Sequence, residues 1–239
     1  AYEIKEGDWS SDVCSSDLAP EDTLLGARFR ELGLVTLGNS NAPEFGLQSN
    51  TWPIAHRPTR NPWNLDRAAG GSSGGACAAV AAGLVPVAHA SDGAGSIRIP
   101  AAWCGLIGFK PSRDRIHWRY AGHNRPDVEF VVARSPPDTA RFPDLLRPPA
   151  IRGEQPEYYL SSLKQDLPRL RIGLCTDSPG GGPVDESCVR AVEETAQALR
   201  DDGHHVEYAA PSTFLEYEER ALHGTAFGFH EYLSCLEEL

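Results

Sequence analysis

Apolar positions along the chain alternate between helix and strand spacing. Over residues 21–32 they fall at Leu24, Leu25, Phe29 and Leu32 with Arg28 beside them, a broad helical stripe, and Gly33 follows as a stop. Residues 34–37, Leu-Val-Thr-Leu, form a short unbroken run that reads as a buried parallel strand. Residues 39–61 are loop-rich, marked by Asn-Ala-Pro, Glu-Phe-Gly and Arg-Pro-Thr. Residues 75–82 are dense in Ala, Cys and Val, which predicts a helix of small side chains able to pack closely on a sheet, and residues 84–90 read as the strand after it. A second helix starts at Pro100, and residues 106–109 are another apolar strand. Between Arg113 and Pro156 the pattern weakens around the breakers Ser135-Pro136-Pro137-Asp138 and Arg147-Pro148-Pro149, with a short helix over residues 139–146. It sharpens again as a strand (residues 171–175), a helix (184–199, with Val184, Cys188, Val192, Thr195 and Leu199 on one face), a strand (206–208) and a last helix (213–239). This alternation predicts an α/β protein with a mixed, largely parallel central sheet flanked by helices.

Composition narrows the function. A length of 239 residues suffices for one substantial core. The net charge of −11, without any basic run, argues against a dedicated nucleic-acid binder. The longest apolar stretch, residues 76–90, is shorter than the ~20 residues of a membrane span and is broken by Pro86 and His89. The acidic N-terminus lacks the apolar segment of a secretory leader. Cys14, Cys77, Cys104, Cys175, Cys188 and Cys235 stand singly, which points to reduced thiols of a cytoplasmic protein and away from a zinc cluster or disulfide scaffold. The eight histidines show no ligand spacing, so no metal site is expected.

Chemistry concentrates in two Gly/Ser loops around the residue 76–90 segment. The first is Gly70-Gly71-Ser72-Ser73-Gly74-Gly75; the second runs Asp92-Gly93-Ala94-Gly95-Ser96-Ile97-Arg98-Ile99-Pro100. Glycines let a backbone turn sharply and present N–H groups to an oxyanion, and serine serves as relay or nucleophile. Neither loop has a nucleotide-binding pattern. These loops, with Cys104-Gly105-Leu106-Ile107-Gly108-Phe109-Lys110-Pro111-Ser112 after them, resemble the amidase signature family from about residue 24 to residue 112, and more weakly beyond. Within it, Pro43-Glu44-Phe45-Gly46 and Thr59-Arg60-Asn61-Pro62-Trp63-Asn64 are most similar to small-amide hydrolases of the 6-aminohexanoate cyclic dimer hydrolase type.

The resemblance implies an amidase-signature fold and a serine-dependent hydrolase of carboxylic amides. It makes Ser96 the nucleophile that forms an acyl-enzyme, Ser72 the relay serine preceded by a cis peptide bond, and the backbone N–H groups of Gly93, Ala94, Gly95 and Ser96 the oxyanion hole. Ser73 is expected to support the loop, and Asp92 and Arg98 to brace it. The family carries glycine where Ala94 stands, so Ala94 would be strained if that position requires a positive φ. The third catalytic member is a lysine that burial keeps neutral; Lys5, followed by Glu6, fits that place, and an exposed terminal lysine is the other reading. The resemblance calls for no metal or organic cofactor. It implies a small-molecule amide substrate, no nucleic acid and no membrane, and is compatible with a homodimer.

Three segments are expected: residues 1–8 as a remnant carrying the candidate lysine, residues 9–18 as an artefactual insert, and residues 19–239 as a partial amidase-signature domain. Trp9-Ser10-Ser11-Asp12-Val13-Cys14-Ser15-Ser16-Asp17-Leu18 repeats Ser-Ser-Asp and resembles a translated sequencing adapter, with a polar surface loop as the alternative. The last helix ends without a cap, and the chain reads as incomplete at its C-terminus. Two rival functions stay open: the glutaminase-type component of a tRNA-dependent amidotransferase, and a catalytically inactive fragment.

Overall fold

The computed structural model describes residues 22–112, 115–116, 127–147, 158–178 and 182–210. Lys5, the residue 9–18 segment and the helix expected over 213–239 lie outside the described residues. The chain forms two compact units, Ala1–Gln165 and Asp166–Leu239.

In the first unit, helix α1 (Leu24–Glu31) begins where the Thr23 side chain accepts the Gly26 N–H at 3.0 Å, and it buries Leu25. Strands β1 (Arg60–Asn61) and β2 (Asn64–Ala68) pair antiparallel before helix α2 (Gly74–Ala81). Strand β3 (Val87–Asp92), helix α3 (Arg98–Trp103), strand β4 (Val128–Ala133), helix α4 (Pro136–Leu146) and helix α5 (Tyr158–Ser162) follow. Strands β3 and β4 are antiparallel, in register from Val87 opposite Ala133 to Asp92 opposite Val128. All six β4 residues are buried, and Phe130 and Val132 join Leu25, Val80, Ile97 and Leu146 in the fully buried core. α2 packs on β3, the strand that ends at Asp92.

The second unit contains strand β5 (Arg171–Leu174), helix α6 (Glu186–Asp201) and strand β6 (His205–Tyr208), with β5 and β6 parallel. Asp185 caps α6 by accepting the Ser187 N–H at 2.8 Å. Among the described residues, no helix is long and apolar enough to cross a membrane.

The α/β class is as the sequence predicts, and several elements differ. The largely parallel pairing expected of the sheet is not what the described ladders display: β5–β6 is parallel, whereas β1–β2 and β3–β4 are antiparallel. Residues 34–37 make no strand. Gly33 takes φ +72° and the Leu34 N–H turns back to the Phe29 carbonyl, which sends the chain outward and leaves Val35 81% exposed. Of residues 106–109, Ile107 alone pairs, through a single bridge to Ala133. β4 arises inside the stretch where periodicity is weak, because a strand buried along its whole length shows no alternation.

Candidate active site

The site is built outward from Asp92, the last residue of β3, whose side chain is fully buried. The chain then wraps the carboxylate. Gly95 N–H donates to Oδ1 at 2.7 Å, and Ile97 N–H and Arg98 N–H donate to Oδ2 at 3.2 and 3.3 Å. The Arg98 guanidinium closes the ring with Nε 2.8 Å from Oδ2 and Nη2 2.9 Å from Oδ1. Burial alone would raise the Asp92 pKa; the Arg98 side chain and the Gly95 N–H outweigh it and hold the carboxyl below its ordinary value. Ser96, half-buried, stands on this anion-centred turn just ahead of α3.

Two sequence expectations about the turn are refined. Gly95 takes φ +126°, a conformation suited to glycine, and a side chain there would also meet Ile99. Ala94 has no positive φ, since Phe45 is the one non-glycine residue at positive φ among the described residues; alanine is unstrained there. The Gly95 N–H, expected in the oxyanion hole, is instead taken by Asp92 because it points into the turn it stabilises.

The Gly70 to Gly75 loop is held from behind by residues that periodicity does not reveal. Thr51 is fully buried, and its hydroxyl reaches the Gly70 carbonyl at 2.8 Å and the Ser72 carbonyl at 3.3 Å while accepting the Gly74 N–H at 3.2 Å. Gly75 N–H donates to the Asn41 carbonyl at 3.1 Å, and the Asn41 backbone lies so close that any side chain at Gly75 would collide with it. The Gly71–Ser72 peptide bond is cis, and Ser72 is buried. Ser73 joins the two loops: its hydroxyl donates to the Ser91 carbonyl at 3.3 Å and accepts the Ser91 N–H at 3.2 Å, while its own N–H donates to the Ser96 carbonyl at 3.3 Å. The structure thus brings together Ser72, Ser73, Asp92, Ser96 and Arg98.

Other groups near these loops are poorly suited to chemistry. His89, on β3, lies against Glu129 (Nε2 to Oε2 3.5 Å) and edge-on to Phe29, so it packs within the sheet. Burial raises the Cys77 thiol pKa and pushes that of Cys104 up to about 11, so both stay protonated at neutral pH.

Thr51→Val tests the clasp. Loss of the hydroxyl strands the buried Gly74 N–H, a cost of about 2 kcal/mol. The thermal midpoint is expected to fall by roughly 4–8 °C, and Thr51→Ser, which keeps the hydroxyl, is expected to recover most of the loss. Equal midpoints for Val and wild type in calorimetry would contradict the assignment.

The Amidase family model matches residues 9–235. The putative amidase AmiB2 of Mycobacterium tuberculosis is 41% identical over 219 residues, which cover 86% of this chain and 46% of AmiB2. The 6-aminohexanoate-cyclic-dimer hydrolase of Paenarthrobacter ureafaciens is 42% identical over 206 residues, covering 81% of this chain and 41% of that protein. The GatA-type component of the glutamyl-tRNA(Gln) amidotransferase of Carboxydothermus hydrogenoformans is 35% identical over 222 residues, covering 86% of this chain and 45% of that protein. A solved structure of 6-aminohexanoate cyclic dimer hydrolase complexed with substrate superposes with a TM-score of 0.74 at 40% identity, covering 81% of this chain and 42% of that one. The chain therefore spans just under half the length of the relatives it matches.

Proposed function

This chain belongs to the amidase signature family, and from that premise we propose that it hydrolyses carboxylic amide bonds of small linear or cyclic substrates through an acyl-enzyme on Ser96. The observation that carries the reading is the tie between its two serine loops: Ser73 donates its N–H to the Ser96 carbonyl, with Ser72 on one side and the Asp92-centred turn on the other. In the proposed reaction, Ser96 Oγ attacks the amide carbonyl and its proton passes through the Ser72 hydroxyl to the neutral amine of Lys5. The N–H groups of Gly93, Ala94 and Ser96 stabilise the oxyanion; Gly95 contributes by shaping the turn. Collapse of the tetrahedral intermediate returns the proton to the leaving amine, and water then releases the acid from Ser96. Asp92 and Arg98 keep the turn preorganised without exchanging protons themselves. The four described cysteines are free thiols, which supports a reducing, cytoplasmic setting. A glutaminase-type role is less favoured, because the amidotransferase component is the more distant relative.

Fluorophosphonate labelling of the chain, with peptide mass spectrometry to locate the adduct, tests the reading and separates it from the inactive-fragment alternative. The adduct is expected on Ser96. Ser72→Ala or Lys5→Ala should slow labelling by at least ~100-fold, the usual contribution of a proton-transfer partner. An unlabelled chain, or an adduct elsewhere, would count against the proposal.

A further inference from the structure

The short 3₁₀ turn Glu44–Gly46 lies outside both serine loops in sequence, yet it is built with unusual care. Phe45, in its middle, takes φ 57° and ψ 8°, the left-handed region that a bulky residue rarely occupies. The Glu44 carboxylate accepts the Ile54 N–H at 2.6 Å. Its own N–H and that of Ile54 are the main causes that keep this carboxyl below its ordinary pKa, with Ala55 N–H and His56 adding to them. The segment it grips continues directly from Thr51, whose hydroxyl clasps the Ser72 loop. The turn also approaches Ser72 from its other end. A β-carbon placed on Gly46 would stand 3.6 Å from Ser72 Oγ, so Gly46 presents bare backbone to that hydroxyl.

We propose that Glu44 is a positioning residue for the Ser72 hydroxyl. Its carboxylate fastens residues 54–55 to the Glu44–Gly46 turn, maintains Phe45 in its left-handed conformation, and so sets Gly46 against Ser72 Oγ. The functional meaning of this arrangement rests on Ser72 being the relay serine. The structural coupling, from Glu44 to the Ser72 loop, does not depend on that role.

Hydrogen–deuterium exchange and fluorophosphonate labelling of the full 239-residue chain test the two parts separately. Glu44→Ala is expected to speed exchange about tenfold in peptides covering residues 43–47 and also in those covering 70–75, with β3 and β4 unchanged. Labelling of Ser96 should slow roughly tenfold, the scale of a small misplacement of a reacting group. Glu44→Gln retains an oxygen that can accept the Ile54 N–H, and should stay within about threefold of wild type in both readouts. A general loss of packing would not be rescued in this way. Glu44→Asp, one methylene too short for the reach, carries less folding risk and should loosen residues 70–75 as Ala does. Faster exchange confined to residues 43–55 would overturn the proposal, as would a Gln variant no better than Ala. If the wild-type chain fails to label, the relay reading falls, and exchange over residues 70–75 still decides whether Glu44 holds that loop.

Discussion

Ser96→Ala is expected to abolish covalent labelling of the chain and to lower amide hydrolysis by roughly 10⁴- to 10⁶-fold, the range seen when a catalytic serine is deleted. The size follows from what remains. The contacts that shape the turn are made by backbone groups and by Asp92 and Arg98, so removing one oxygen leaves the Gly95 and Ile97 N–H bonds to Asp92 and the Ser73 N–H bond to the Ser96 carbonyl in place. Binding and oxyanion stabilisation should survive while the acyl-enzyme route is lost. Stability should change by less than about 0.5 kcal/mol, because Ser96 is half-buried and its hydroxyl makes no described contact that the fold requires. Hydrolysis that persists in the alanine variant, measured by release of free amine, would rule out Ser96 as the nucleophile.

Asp92→Asn should have the opposite profile, with a large effect on stability that carries activity down with it. The carboxylate is fully buried, whereas the Arg98 side chain is 53% exposed, so the lower end of the cost of breaking a buried pair applies, about 3 kcal/mol. For a chain of this size that corresponds to a fall of roughly 6–12 °C in thermal midpoint. An asparagine amide would also turn donor hydrogens toward backbone N–H groups that now donate to a carboxylate. The effect carries a pH signature. The folded pKa of Asp92 lies below the unfolded value of about 3.9. Its contribution is therefore complete above pH ~4 and disappears as pH falls through the folded value. Wild type and Asp92→Asn should differ fully at neutral pH and converge in strong acid. A gap between their midpoints that stays constant down to about pH 2 would show that the carboxylate is not the source of the stability.

The candidate site was legible in the sequence where it is local. Ser72, Ser73, Asp92, Ser96 and Arg98 sit inside two glycine-marked loops, and α2 between them has a composition that leaves little choice but a packed helix. What escaped is what reaches across the chain. Thr51 and Asn41 lie in a loop-rich stretch with no periodicity, and their partners in the Ser72 loop are distant in sequence. A buried threonine hydroxyl that clasps a loop looks, in sequence, like any loop threonine. The β4 strand was hidden for a different reason: a run buried on both faces has no polar alternation to betray it. Residues 34–37 show the converse error, since an apolar run becomes a strand only with a partner to pair with, and Val35 and Leu37 stay exposed. The commitment of the Gly95 N–H to Asp92 is a matter of direction, which a glycine-rich motif does not encode.

The pairing of β3 with β4 has a consequence for biosynthesis. The ties that form the site link Thr51 to Gly70, Ser73 to Ser91 and Asp92 to Arg98, all of which leave the ribosome before Val128. These ties close loops of 19, 18 and 6 positions, and because doubling a loop adds only about 0.6 kcal/mol their closure entropies stay close. A nascent chain can therefore assemble its serine loops while the β3 edge that β4 later covers is still open. An open edge invites intermolecular pairing. The interval in which residues 98–128 emerge from the ribosome is thus expected to be the one in which the chain depends most on chaperones. Ribosome-bound chains stalled before and after β4 has emerged should differ sharply in chaperone occupancy, and equal occupancy would refute this.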